Sequence, residues 1–234
     1  MILVISNIAN DAAPALVKSF PAGAASLIMA SDVHTSFKAG IAVNDFLSSE
    51  MNISGTTIPA RKISGVVTTI PFFLPQEFYY VAAADREYVC AELQAFFIYF
   101  LSELKGKKIN PPGRKIFTGL GGHKLEWLKA ARQIRVPVWP IHIKNGANAD
   151  PVNNSSVKII KCTIIGDEVV GNDTPDNVIA HTRALARAFS LPYISCSFAT
   201  ENGRDHYLLD IGTIPDITPP ENRETIVNYF QRGM

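Results

Sequence analysis

Two nearly continuous apolar runs, residues 1–6 and 25–30, flank a helical stretch at residues 11–20 that Pro21 and Gly23 bring to an end. Short uninterrupted apolar runs suit strands buried on both faces better than strands with one wet face. A strand–helix–strand order at the start of a chain predicts a parallel pair joined by a crossover. The first part of the sequence is thereby committed to an α/β layer in which helices cover a sheet. Further strands are expected at residues 37–44, 55–61 and 65–70, divided by polar and Gly-containing turns.

The clearest periodicity lies at residues 83–105. Val89, Leu93, Phe96, Phe97, Phe100, Leu101 and Leu104 recur at three- and four-residue steps and form one apolar helical face. That spacing is explained by core packing without invoking a cofactor box. Glu87 and Glu92 lie toward the front of this helix, and Lys105, Lys107 and Lys108 follow its end, as the helix dipole favours. Asn110-Pro111-Pro112 then forces a loop. A glycine-rich turn at residues 119–122 leads into a helix over 123–134, followed by a strand over 136–144.

Residues 145–156 (NGANADPVNNSS) form a polar linker and the best internal boundary. Beyond it, residues 157–165 and 168–170 read as a hairpin about Gly166-Asp167. Thr174-Pro175 predicts a helix start with a capping hydroxyl and proline at the first helical position. Strands are expected at 193–199 and 206–211, joined by the polar turn Glu201-Asn202-Gly203. A last helix opens at Thr218, with Pro219 and Glu221 in capping-box spacing, and closes before Gly233.

Composition narrows the function classes. Apolar residues make up 47%, charged residues 18%, and the formal net charge is +1, which excludes a disordered or acidic solvating chain. So even a balance also argues against a general electrostatic nucleic-acid binder. Cys90, Cys162 and Cys196 stand far apart with no CxxC pair, so neither a disulfide framework nor a zinc site is expected, and a reducing setting fits. No run approaches the roughly 20 apolar residues that span a bilayer, and the opening segment lacks a basic n-region. The expectation is a cytoplasmic protein with neither a membrane nor a nucleic-acid partner.

Chemistry-bearing residues are sparse. The element TGLGGHK, residues 118–124, places glycines ahead of a helix N-terminus, where free N–H groups can meet an anion. It is no Walker loop, because Leu125 follows the lysine where Ser or Thr is needed; a plain structural turn is the competing reading. His34, His123, His142, His181 and His206 show no ligand spacing, and no HExxH or GxSxG is present. Cys196 sits in an apolar strand and reads as an inert buried thiol. In HYLLDIG, strict alternation puts His206, Leu208, Asp210 and Gly212 on one face. Asp210 then reads either as a cleft carboxylate suited to metal or phosphate chemistry or as a strand-end capping residue.

These elements, in this order, resemble the ATP-grasp superfamily of carboxylate–amine ligases, nearest to the ribosomal S6 glutamate ligase-like enzymes and the maturases of ribosomal peptides. The resemblance rests on DREYVCAE, on Asn110-Pro111-Pro112, and on the K-L-x-x-L-x-x-A helix from Lys124 to Ala131 leading into Val136-Pro137. It resumes in KCTIIGDEVV, similar to the family's R-V-x-V-V-G-D-E-V hairpin, and in LLDIGTIP, similar to F-L-E-V-N-x-x-P. D-alanine–D-alanine ligases share the lysine helix and V-P strand.

The resemblance implies a fold and a site. The fold is α/β: an N-terminal pre-ATP-grasp-like domain over residues 1–112, then a reduced ATP-grasp-like α+β core over 113–234. The polar linker 145–156 stands where the lid subdomain would be. Lys124 matches a lysine that contacts nucleotide phosphate, and Lys161 stands where the family has an arginine for phosphate or substrate, keeping the charge without the bidentate fork. The first magnesium carboxylate would fall at Ser197, and the metal-binding E-x-N pair at Asp210 and Gly212. Two of those three positions have therefore lost their metal donor, and Asp210 is the one candidate metal residue. Magnesium must screen the triphosphate for ligation to proceed.

The resulting expectation is a degenerate, non-catalytic protein acting as a ligand-binding or accessory subunit, with Lys124 and Lys161 as a vestigial nucleotide or anion site. Its ligand would be a peptide or small carboxylate, and its partner a second copy of the chain or a complete ATP-grasp enzyme. The alternative is an active ATP-dependent carboxylate–amine ligase using ATP and Mg2+, with its missing part supplied by a partner chain.

Overall fold

The computed structural model describes residues 1–33, 45–53, 55–121, 123–140, 143–144, 147–148, 157–171, 173–200 and 203–232. The expected strand 37–44, the histidines His34 and His142, the turn residues Glu201 and Asn202 and most of the polar linker lie outside these residues. Two compact units are formed, one by Met1–Gly121 with Ile214–Met234, the other by Gly122–Thr213.

The first unit is built on a parallel sheet. β1 (Ile2–Ser6) pairs in parallel with β2 (Ala25–Met29), with α1 (Ala12–Ser19) as the connection. All five β1 residues are buried, as its unbroken apolar run requires. α1 turns Ala13 and Leu16 inward, and extended Phe20 followed by Pro21 ends it. β3 (Glu50–Ile53) and β4 (Thr56–Pro59) form an antiparallel pair. β5 (Gly65–Thr68) returns to the other edge of β1, again in parallel.

α2 (Arg86–Glu103) realises the predicted aromatic face. Cys90, Phe97, Phe100 and Leu101 are buried, and Phe97 meets Phe73 at 5.3 Å and Phe117 at 5.0 Å between ring centroids. Its entry is fixed by Arg86, whose guanidinium donates to the carbonyls of Val81 (2.9 Å) and Tyr79 (3.0 Å). β6 (Lys107–Ile109) then pairs in parallel with β5, giving the order β2-β1-β5-β6.

The second unit opens with α3 (Lys124–Gln133). Among the described residues, the strand expected at 136–144 is not formed over 136–140. Val138 makes an isolated parallel bridge to Leu208, and β7 (Ile143–Lys144) pairs instead with β8 (Ala147–Asn148). β9 (Lys158–Ile165) and β10 (Glu168–Val170) make the predicted hairpin, with Gly166 at φ +61° in its turn. α4 (Asp176–Phe189) packs against β9 and against β11 (Tyr193–Thr200), and β12 (Tyr207–Gly212) completes an antiparallel sheet of order β10-β9-β11-β12. Pro175 occupies the cap position of α4 rather than its first turn, so the expected Thr174 cap is displaced by one residue.

The last helix, α5 (Pro220–Gln231), packs within the first unit, although the sequence reading placed residues 113–234 in one domain. Its cap position is Pro219 rather than Thr218. Phe230 explains where it docks: a Cβ on Gly65 would lie 2.4 Å from its ring, so the missing side chain of β5 is what admits the aromatic. Lys107 Nζ adds hydrogen bonds to the carbonyls of Tyr229 (3.2 Å) and Arg232 and lies 5.4 Å from the Tyr229 ring centroid.

Candidate functional site

The face of the second sheet away from α4 carries the candidate site. Antiparallel register sets Lys161 of β9 opposite Ser197 of β11, and Ser197 opposite Asp210 of β12. Directly opposed residues share a face, so Lys161, Ser197 and Asp210 form one row across three strands. The adjoining row is Thr163, Ser195 and Gly212, in which the Thr163 hydroxyl and the Ser195 hydroxyl lie 3.1 Å apart and are buried. Lys124, the first residue of α3, completes the cluster with its ammonium 3.3 Å from Asp210 Oδ1. Both partners of this ion pair are about half exposed, at 52% and 55%. The sequence-predicted residues Lys124, Lys161 and Asp210 are thus brought to one neighbourhood, with Ser197 between the two strand residues.

A β-bulge corrects one step of the sequence reading. Pairing passes from Ser197–Asp210 to Phe198–Leu208, so Leu209 is the extra residue. Strict alternation had put Leu208 and Asp210 on one face. The bulge separates them: Leu208 is buried beside Phe198, while Asp210 joins Ser197 at the surface. Without that extra residue the carboxylate would point into the core side of the sheet.

Two donors of the glycine-rich element are committed locally. Buried Thr118 donates to the Ile109 carbonyl (3.2 Å), and Gly119, at φ +74°, donates to Pro111 (3.0 Å). His123 is the N-cap of α3, its Nδ1 accepting from Leu125 N–H at 3.3 Å. These bonds describe a turn and a helix cap.

Magnesium, which the fold family implies, does not fit the donor set at Asp210. A single carboxylate there is already paired with an ammonium and faces a neutral hydroxyl. Divalent hard cations call for several oxygen ligands, with carboxylates among them. Among the described residues, no three His, Cys, Asp or Glu side chains gather into a metal-holding group.

The opposite face of the same sheet, under α4, is apolar and thiol-bearing. Cys162 stands directly opposite Cys196, both buried and both free thiols. Burial pushes both thiols up from their ordinary range, so neither is an activated nucleophile. Sequence spacing gave no sign of a second cluster, formed by His181, His206 and Asn177. Asn177 Oδ1 accepts from Val178 N–H, which leaves its amide nitrogen, 3.0 Å from His206 Nδ1, as the donor. Neutral His206 therefore carries its proton on Nε2. Neither that atom nor His181 Nδ1 has a hydrogen-bond partner among the described residues. Burial, followed by the nearby His206, holds the His181 imidazolium below the usual histidine range.

With this geometry in hand, the class is defined at the level of fold: parallel α/β unit, antiparallel core sheet and lysine-started helix together make an ATP-grasp fold. No family model and no curated protein matches the sequence. Among solved structures, macrocyclase MdnC from Microcystis aeruginosa, bound with precursor peptide MdnA, matches with a TM-score of 0.71 at 13% identity, over 97% of this chain and 100% of that one. A RiPP-associated ATP-grasp ligase from Chryseobacterium gregarium, in complex with ADP and a leader and core peptide, matches with a TM-score of 0.70 at 11% identity, over 100% of this chain and 97% of that one. The ATP-grasp ligase PsnB, complexed with a precursor variant, Mg and ADP, gives 0.71 at 11% identity, covering 98% and 97%. No helix among the described residues is long and apolar enough to cross a membrane.

Proposed function

We propose that this chain is a non-catalytic protein of ATP-grasp fold that binds a peptide and serves as an accessory subunit. The observation that carries the reading is the Lys124–Asp210 ion pair beside Ser197. A protein cation sits on the carboxylate where ligation chemistry requires a metal. The peptide ligand is supported by the solved relatives, which were captured with precursor, leader or core peptides. Lys124 and Lys161 are, on this reading, the remnant of an anion site, and the three free thiols suit a reducing, cytoplasmic setting. A second copy of the chain or a complete ATP-grasp enzyme is the proposed partner.

Calorimetric titration with ATP, with and without magnesium, tests this directly. The expected result is no magnesium-dependent gain in affinity and no ADP release when candidate acids and amines are added. Tight magnesium-dependent binding with ADP release would overturn it. That outcome would favour the second reading, an ATP-dependent carboxylate–amine ligase completed by a partner chain, which is supported by the relatives that hold ADP and Mg. Loss of such activity in Asp210→Ala would then assign the carboxylate to it.

A further inference from the structure

The second unit carries a groove apart from the sheet row. It has a volume of about 380 Å³ and runs between α3 and the segment that bridges β12. Leu125, Leu128, Lys129 and Arg132 line it from the helix, at steps of three, four and seven residues from the first. That spacing places all four on one stripe of α3. Val138 and Trp139 form the other wall. The floor is apolar, and Leu125 is 42% exposed at its mouth.

Two features state what such a groove accepts. Its charged lining is of one sign, Lys129 and Arg132 with no carboxylate among the lining residues. A ligand that desolvates this surface must bring negative charge, and Arg132 offers the planar fork that carboxylates match. The second feature is main-chain. Trp139 N–H donates to Leu208 (3.0 Å) and Leu208 N–H donates to Pro137 (2.8 Å), so the intervening Val138 turns its own N–H and C=O away from β12. Those two groups have no backbone partner among the described residues. With Val136 N–H bonded to Ala131 (3.0 Å) and Pro140 lacking an N–H, Val138 offers this one N–H and C=O couple beside the groove, which can take a single main-chain bridge from an extended peptide.

We infer that this groove docks an acidic peptide segment in extended conformation. Its apolar side chains fill the space between Leu125, Leu128 and Trp139, its carboxylates meet Lys129 and Arg132, and its backbone pairs with Val138. The inference rests on the peptide-binding reading above and names the surface and ligand chemistry for it.

Fluorescence anisotropy with three labelled ten-residue probes provides the test: alternating Val and Glu, alternating Val and Lys, and the Val–Glu probe methylated on alternate amides. The intact chain is expected to bind the acidic probe at least tenfold more tightly than the basic one. Methylation should weaken binding by a similar factor, and added salt should weaken it progressively. Lys129→Glu with Arg132→Glu should reverse the preference; both side chains are exposed, so an unchanged melting temperature verifies folding. Equal binding of acidic and basic probes, no binding of the acidic probe, or an unchanged preference in the charge-reversed variant would overturn the assignment. Probes that bind the intact chain with a preference unchanged by the charge reversal leave the peptide-binding reading standing and overturn the groove alone, whereas failure of all three probes to bind counts against both, so the two failures are distinguishable.

Discussion

Placing a second carboxylate opposite Asp210 and taking away its ammonium partner gives the sharpest test of the proposed site. In Lys124→Ala/Ser197→Asp the ammonium leaves Asp210 and a second carboxylate arrives directly opposite it. The lysine contributes little on its own: a pair this exposed is worth roughly 0–1 kcal/mol, so Lys124→Ala alone should be nearly silent in stability. The new aspartate is different, because directly opposed Cβ atoms lie about 4.5–5.5 Å apart. Two charges at about 5 Å repel by roughly 3 kcal/mol at an effective dielectric constant of about 20. Asp210 is 55% exposed, and halving the repulsion for solvent screening leaves about 1.5 kcal/mol. The double variant should therefore unfold at lower urea than the parent, and magnesium should restore it. A cation at about ten times its Kd returns about 1.4 kcal/mol, nearly the whole loss. Urea unfolding of parent and double variant, with and without millimolar magnesium, reads this out. If magnesium stabilises both proteins equally, or neither, Ser197 and Lys124 are not what keeps the metal from this row.

Other parts of the molecule give independent predictions. Gly65→Ala should cost about 1–3 kcal/mol through overpacking against Phe230 and against Ile2, whose Cδ1 would lie 2.6 Å from the new Cβ, and the Phe230 share of that cost should vanish in a Phe230→Leu background; additive losses in a denaturant double-mutant cycle would contradict the packing. His181 has a folded-state pKa below its unfolded value, so its contribution is full above about pH 6.5 and is lost as pH falls toward the folded value. Stability measured across pH 7 to 5 should fall by at most about 1.4 kcal/mol per pH unit from this group, and His181→Phe should flatten that limb. Cys162 and Cys196 should resist a thiol reagent in the native protein and react on unfolding; rapid native labelling of either would contradict their burial.

Much of the fold was legible because it depends on local pattern. The unbroken apolar run of β1, the breaker residues after α1 and the aromatic periodicity of α2 each state an element without tertiary information. The site was legible only as separate residues. Lys161, Ser197 and Asp210 meet through strand register, and a one-residue bulge at Leu209 decides which face receives the carboxylate. Alternation cannot foresee that bulge, and it misassigned Leu208 for that reason. α5 shows a similar limit. Its approximate start and end were readable, but its docking place depends on the hollow at Gly65, far away in sequence. The caps of α4 and α5 each shifted by one residue because a proline, not the preceding threonine, took the cap position. The His206–Asn177 contact and the α3 groove likewise arise only when separate elements are packed.

The two faces of the core sheet differ in how much a substitution costs the fold. The face under α4 holds Cys162, Ile164, Cys196 and Phe198 almost fully buried, against Thr182 and Leu185 of the helix. Substitutions there create cavities or buried polar groups and cost several kcal/mol. The opposite face holds the Lys161–Ser197–Asp210 row, whose members are only partly covered. A carboxylate at position 197 would stand in like-charge contact with Asp210, which the Ser197 hydroxyl avoids, and Lys124, the position matched to the family's phosphate-contacting lysine, pairs with the carboxylate that is present. A pair of opposed carboxylates is itself a strain that only a metal relieves, so a hydroxyl at position 197 is neutral or slightly favourable for folding. The buried face thus holds the fold, while the partly covered face can vary at little cost to it, which is the freedom that the proposed binding role requires.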